Sequence, residues 1–445
     1  MRRKAIHAII EAIALGTRVK PVQEAIRRSI SKYRLWDQGL DRRISGIVYN
    51  VYRYQGLLER IVSSKTGISL KDLPIRIWAA LLLVTYIVVF DEKMDSSRRH
   101  SFKRVISRYV SSRIRDNELK EILLDYIHGL RRGWSPRKRD EEIMYEYLVS
   151  PQLYEALRES FDELDEDLHA FLKYTISPPP RTFRINTLKA SIRAVEKILG
   201  DLGVEYSVGR YSGRAVRIMG GLPREVIRLI ETGVLVPQDE SSMVAVELLD
   251  PAPGSRIADL CAAPGGKTTY LAEYTGLKAV IHSFEIYRDR ARRLRLLLER
   301  TGTSPAVRVH VADARRAPEI LGRGSMDYVL LDPPCSSTGA IARNPDVRWR
   351  FNRRDVENLV KLQEELLESA WKILRRGGRL LYTVCSVLTW EGEHVIRSFL
   401  EKHDDARLVP LNKPFSPSPV LEGTMRAFPH RHGVIGFYYA LIEKK

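Results

Sequence analysis

The sequence predicts three parts in series: an all-α bundle over residues 1–138, linker helices with a small α+β module over 139–232, and a doubly wound α/β domain with a mostly parallel sheet over 233–445. Three observations carry this. Apolar residues recur at helical spacing through residues 1 to about 130. From Gly233 onward short apolar runs alternate with amphipathic helical segments, as in a parallel sheet covered on both faces. Finally, Ile257–Thr269 reads I-A-D-L-C-A-A-P-G-G-K-T-T: a buried-strand run, a tight loop of small residues, then a helix from about Thr268 to Tyr274. Strand, loop and helix of this kind open a doubly wound domain, with the ligand across the first strand's carboxyl end.

In chain order, Ile6, Ile9, Ile10 and Ile13 mark one helix face. Asp41 is read as the cap of a second helix whose apolar positions are Ile44, Ile47, Val48, Val51, Tyr52 and Leu57. Leu73–Phe90, Phe102–Val110 and Asn117–Leu130 follow as further helices. Arg131–Arg139 is a basic turn, after which Asp140–Asp167 holds eleven Asp/Glu against one Arg, which places a boundary near residue 138. Tyr145–Tyr174 reads as amphipathic helices, ended by the prolines of Pro178–Lys189, P-P-P-R-T-F-R-I-N-T-L-K. The alternation of Phe183, Ile185 and Thr187 suits a strand, with Arg181, Arg184 and Lys189 as expected phosphate contacts. Ser191–Gly203 and Pro223–Glu231 read as helices, Val204–Ser207 and Ala215–Ile218 as short strands. Beyond Ile257–Thr269 the expected strands are Ala279–Ile286, Val307–Ala312, Tyr328–Leu331, Arg379–Val384 and Val434–Ile442, separated by helices at Arg288–Arg300, Val356–Leu374 and Trp390–His403.

Composition narrows the partners. A net charge of +18 and a pI near 9.7 point to a polyanion. The charge is clustered, with 13 Lys/Arg against 5 Asp/Glu in Met1–Arg60, which favours nucleic acid. Three cysteines, none in a C-x-x-C pair, argue against a disulfide scaffold and against zinc. His394, His403, His430 and His432 lack ligand spacing, so no metal is expected. The basic start meets Glu11 before any signal-length apolar run, and Ile77–Phe90 is too short to span a bilayer. A cytoplasmic monomer without membrane attachment is the expectation.

The loop names its ligand by exclusion. G-x-x-x-x-G-K-[ST] would need glycine where Cys261 stands, and G-x-G-x-x-G is absent, so no pyrophosphate cradle is expected. Glu285 ends the second strand 18 residues past Lys267, placed to accept ribose hydroxyls. A nucleoside without pyrophosphate fits S-adenosylmethionine. Asp259, Cys261, Glu285, Asp313, Asp332 and Cys385 all fall at or near strand carboxyl ends, on one rim.

Two of the rim groups are thiols just past buried strands: Cys335 in D-P-P-C-S-S-T-G (Asp332–Gly339) and Cys385 in Y-T-V-C-S (Tyr382–Ser386). A single cysteine is by default an inert small hydrophobe. One that follows Asp-Pro-Pro is held on a stiff turn facing the cleft. Methyltransferases acting on an exocyclic nitrogen carry an aromatic residue there, whereas a thiol suits a base whose carbon must be activated. A thiolate adding to pyrimidine C6 makes C5 nucleophilic, and a second group is then needed near C5 or at release. The attacking thiol needs its pKa lowered, for which Lys267 and the adjacent helix N-terminus are the expected source. Asp332 is placed to hold the cytosine amino edge. Spacing does not decide which cysteine attacks.

Together C-A-A-P-G-G-K, D-P-P-C-S-S-T-G, T-x-C-S, R-I-N-T-L-K and R-x-F-P-H ahead of G-F-Y-Y-A resemble the NOL1/NOP2/Sun (Fmu) RNA cytosine-5 methyltransferases over roughly Pro178 to Lys445. D-R-R-I-S-G-I-V-Y-N-V-Y-R-Y at Asp41–Tyr54 resembles the helical RNA-binding factor NusB. The resemblance implies a Rossmann-like class I methyltransferase domain behind a NusB-like front, acting on ribosomal RNA or tRNA. It implies Cys385 as nucleophile and Cys335 as the group assisting release. It further implies S-adenosylmethionine contacts from Cys261, Ala262, Ala263, Pro264, Gly265, Gly266 and Lys267, with Glu285, Arg290, Asp313 and Asp332. Two departures stand out: Val384 where the family commonly has cysteine's neighbour as Thr in S-T-C-S, and Glu391-Gly392-Glu393 for E-N-E. The rival reading is a non-catalytic RNA-binding assembly factor with a retained cofactor pocket.

Overall fold

The computed structural model describes residues 3–19, 22–36, 40–177 and 179–445. Pro178, expected to end a helix, and Met1 and Arg2 of the basic start lie outside them. The chain forms two compact units, one running to Glu155 and taking in Asn344–Phe351, the other formed by Ala156–Arg343 and Asn352–Lys445.

The first unit is helical: Arg3–Gly16, Val22–Tyr33, Asp41–Thr66, Ile75–Thr85 continued by a wider turn at Tyr86–Phe90, Ser96–Ser111, Asn117–Gly129 and Arg139–Tyr147. Ile6, Ile9, Ile10 and Ile13 are all buried, as their spacing requires, against Ile44, Val48, Val51 and Tyr52 of the long helix. Ile77–Val84 is apolar on every side and sits wholly in the core. Among the described residues no helix is long and apolar enough to cross a membrane. Asp95 and Asp116 cap their helices through Arg98 N and Leu119 N. Asp41 does not: Leu40 holds the cap position and Asp41 is the first helical residue, where its charge faces the helix's positive end. Asn344–Phe351 joins this unit through Trp349, whose Nε1 donates to the Tyr52 and Arg53 carbonyls at 3.0 and 2.9 Å.

Among the described residues the second unit has thirteen strands: β1 (Arg181–Ile185), β2 (Tyr206–Val208), β3 (Ala215–Ile218), β4 (Leu235–Pro237), β5 (Arg256–Asp259), β6 (Val280–Phe284), β7 (Val307–His310), β8 (Met326–Leu331), β9 (Leu374–Val384), β10 (Ala406–Val409), β11 (Ser416–Pro417), β12 (Met425–Ala427) and β13 (Phe437–Lys444). The first four make an antiparallel sheet, β2-β3-β1-β4. The rest make a mixed sheet whose parallel block runs β9-β8-β5-β6-β7. Antiparallel β13 flanks β9, followed by β12 and β11, with β10 also on β13. Successive residues feed opposite faces, as a pleated strand must: Ile257, Leu330 and Leu381 join one core, Ala258, Leu331 and Leu380 the other. The helical N-terminal region and this Rossmann-like sheet agree with the fold class expected.

One expected phosphate contact is overturned here. Arg184 is fully buried, because the second face of the small sheet is covered by helix Gly266–Tyr274. Its guanidinium pairs with Glu273 at 2.9 Å, reaches Gln238, and donates to the Gly266 carbonyl at 2.8 Å and Thr269 Oγ1 at 2.9 Å. Arg181 and Lys189 are exposed, although Lys189 Nζ donates to the Thr232 and Arg300 carbonyls at 2.7 and 2.6 Å.

Candidate active site

The five parallel strands deliver their carboxyl ends to one edge. Asp259 is the last residue of β5; Glu285, Asp332 and Cys385 each follow directly on β6, β8 and β9. Asp313 lies three residues past β7. Residues that are far apart in sequence become neighbours because a parallel sheet aligns every strand the same way.

After β5 the chain turns through Cys261–Lys267. Gly265 takes φ +111°, a conformation open to glycine, and a Cβ there would lie 2.6 Å from Leu294 Cδ1. The glycine therefore serves to seat the loop on helix Arg288–Thr301 as much as to admit a ligand. Asp259 is buried and accepts from Thr268 Oγ1 at 2.6 Å; burial pushes its carboxyl up to about 6. Burial likewise holds the Cys261 thiol protonated, reinforced by the Asp332, Asp259 and Glu285 charges. Glu285 accepts from Tyr287 N at 2.9 Å. Arg290 lies 3.4 Å from Glu285 Oε2 and donates to the Ala263 carbonyl at 2.7 Å, so it ties the acidic strand end to the loop. Asp313 is held by Arg315 at 2.6 Å, which keeps its carboxyl below the usual range.

These residues fit S-adenosylmethionine. Glu285 offers a carboxylate to vicinal hydroxyls, the loop of small residues leaves backbone accessible, and Ile286 and Val311 present apolar side chains 52% and 38% exposed beside it. Such apolar surface suits a flat heteroaromatic ring.

On the adjoining stretch of rim, Lys267 Nζ meets Asp332 Oδ2 at 2.5 Å. Burial pulls the ammonium pKa down, but Asp332's charge and hydrogen bond outweigh it and the lysine is held charged. Cys335 and Cys385 face each other with Sγ atoms 3.3 Å apart. Cys385 also lies 3.6 Å from Ser337 Oγ. The hydrogen bond from Cys335 lowers the Cys385 pKa, with Ser337 and Lys267 assisting against burial. Cys335 is pushed up well above an ordinary thiol by that same hydrogen bond, by burial, and by the Cys385, Glu391 and Asp332 charges. The pair thus holds its protons unequally: Cys385 gives up its proton more readily than Cys335. Lys267, the expected source of activation, contributes less than Cys335 and Ser337, and the Asp332 charge beside it opposes thiolate formation more strongly than Lys267 favours it.

The loops carrying the two thiols are stitched together by residues that sequence reasoning passed over. Gly339 N donates to the Cys385 carbonyl at 3.0 Å. Ser386 Oγ contacts Thr338 Oγ1 at 3.0 Å and Ser336 Oγ at 3.2 Å. The only signal for them was the run of hydroxyls in D-P-P-C-S-S-T-G. Among the described residues no group of three or more His, Cys, Asp or Glu is placed to hold a metal ion. His394, His403 and His430 instead contact Glu163, Glu368 and Glu166.

Comparison with known proteins follows the same lines. The sequence model of the family described as 16S rRNA methyltransferase RsmB/F matches residues 246–443. A ribosomal RNA small subunit methyltransferase B of Yersinia pseudotuberculosis serotype O:1b (strain IP 31758) is 35% identical over 267 residues, 60% of each chain. The same-named protein of Photorhabdus laumondii is 34% identical over 274 residues, again 60% of each. The chain thus matches 60% of the length of these curated relatives. Among solved structures, PH0851 is 37% identical with a TM-score of 0.91, covering 100% of this chain and 99% of its own. A methyltransferase homolog from Pyrococcus horikoshii is 29% identical with a TM-score of 0.58, covering 67% of this chain and all of its own.

Proposed function

The chain belongs to the NOL1/NOP2/Sun family of S-adenosylmethionine-dependent methyltransferases, in its RsmB/F branch, and from that premise we propose that it forms 5-methylcytosine in RNA, small-subunit ribosomal RNA in the first instance. The observation that carries this reading is the pair of sulfurs 3.3 Å apart on the rim beside Lys267 and Asp332.

The chemistry follows from the unequal protons. The Cys385 thiolate adds to C6 of an unstacked cytosine, forming the S–C6 bond and moving the C5=C6 electron pair onto C5. Asp332, held by Lys267, accepts from the exocyclic amino group and fixes the ring edge. S-adenosylmethionine, when bound, would supply the methyl group to that C5, its S–CH3 bond breaking with the electron pair left on a neutral thioether. The C5 proton then leaves to water, the C5=C6 bond reforms, and Cys385 departs as thiolate. The Cys335 S–H hydrogen-bonds the departing thiolate, spreading its charge, and so assists release. Cysteine at position 335, in place of an aromatic, weighs against methylation of an exocyclic nitrogen. The helical front unit, NusB-like in its Asp41–Tyr54 sequence, holds RNA mainly through phosphate, so affinity falls steeply with salt.

Cys385→Ala is expected to abolish turnover. Cys335→Ala is expected to retain attack but lose release, leaving a protein–RNA adduct that survives a denaturing gel. Mass spectrometry of digested product RNA checks the base: a normal Cys335→Ala turnover without adduct, or methyl on nitrogen, overturns the proposal.

A further inference from the structure

A buried carboxylate behind the thiol pair is left without a role by this chemistry. Glu391, in the short turn Thr389–Glu391, is fully buried. Its Oε1 accepts from Ser336 N at 2.8 Å and its Oε2 from Ser336 Oγ at 2.5 Å. Gln363 Nε2, from helix Arg353–Ile373, donates to Glu391 Oε1 at 3.0 Å and to the Pro334 carbonyl at 2.9 Å. Both neighbours of Cys335 in the chain are therefore held, Pro334 by Gln363 and Ser336 by Glu391. Glu391 is itself tied to the strand that presents the other thiol, since Tyr382 OH donates to its carbonyl at 2.7 Å, three residues before Cys385. Glu391 therefore touches both loops, its carboxylate holding the Cys335 turn and its backbone carbonyl the strand that leads to Cys385. Burying a charge is costly unless hydrogen bonds satisfy it, which argues for a task beyond packing.

We propose that Glu391 is the positioning residue for Cys335, clamping the Pro334–Ser336 turn so that the thiol faces Cys385 and keeps its proton for the departing sulfur. This rests on the two-thiol reading above. The groups facing Cys335 are Cys385 and Tyr382 on β9 and its end, Asp332 on its own loop, and Glu391 on the following turn. Three of these carry or acquire negative charge and oppose ionisation of Cys335; Lys267 is engaged by Asp332. Removing the Glu391 charge therefore makes Cys335 easier to ionise and takes away the donor that release needs.

The test uses the full chain with Glu391→Ala and Glu391→Gln, the latter retaining an acceptor for Ser336 N–H without the charge. Both are expected to lower turnover by up to about 10²-fold, the cost that misplacing a reacting group by about 1 Å can reach. The RNA adduct should accumulate as it does in Cys335→Ala. In a Cys385→Ser background without RNA, the pH midpoint for iodoacetamide alkylation of Cys335, read by peptide mass spectrometry, should fall by about one unit on adding Glu391→Gln. An adduct in Cys335→Ala but in neither Glu391 variant, with the variants folded, overturns this inference alone. Absence of adduct in Cys335→Ala as well overturns the two-thiol reading. An unchanged alkylation midpoint overturns the electrostatic half of the role.

Discussion

Replacing Arg184 by methionine separates two accounts of the R-I-N-T-L-K motif. As a phosphate contact, Arg184 would matter for RNA and little for stability. The structure makes it a buried tie between β1 and the cofactor loop, with both Arg184 and Glu273 side chains 0% exposed. Methionine keeps the length and apolar bulk but removes the guanidinium's bonds to Glu273, the Gly266 carbonyl and Thr269 Oγ1. Removing one partner of a buried pair costs about 3–5 kcal/mol. Glu273 keeps Arg214 at 3.1 Å and the Thr187 N–H and hydroxyl, so the lower end applies. About 3 kcal/mol in a unit of this size lowers Tm by about 5 °C. Loss of the donor to Gly266 frees the loop and should weaken S-adenosylmethionine binding several-fold, read by calorimetric titration. RNA binding should keep its salt dependence, because each lost phosphate contact would reduce the slope by about 0.7–0.9. A variant with unchanged Tm and a salt slope lowered by that amount would refute the argument and restore the phosphate role.

Two further outcomes are expected. Asp259 is pushed from 3.8 up to about 6 by burial, so the folded state favours its protonated form. The stability this contributes is present below about pH 4 and lost as pH rises through about 6, amounting to about 3 kcal/mol. Asp259→Asn should flatten the Tm–pH profile across that window, gaining on the parent chain as pH rises; parallel profiles would contradict it. In the helical unit, a Cβ at Gly56 would sit 2.2 Å from Trp349 Cε3. Gly56→Ala should therefore destabilise that unit by about 1–3 kcal/mol, despite alanine's better helix propensity, as denaturant melts would record.

Much of this protein was legible in its chain. The helical front follows from apolar spacing, since Ile6, Ile9, Ile10 and Ile13 meet the core wherever the helix packs. The strand–loop–helix at Ile257–Thr269 and the thiols past β8 and β9 were visible because strand, turn and helix signals are local. What only the tertiary structure decided lies elsewhere. β4 and β10–β12 have two to four residues each, too few for a period to show, and exist because a longer strand offers them an edge. Arg184 alternates with Phe183 and Ile185 as an outward residue should, yet is buried because a helix carrying Glu273, 89 residues away, covers that face. Glu391 was noticed only as part of a departure from a motif; its tie to Ser336 spans 55 residues. Local order is written in neighbouring residues, and these contacts join residues that only the folded topology makes neighbours.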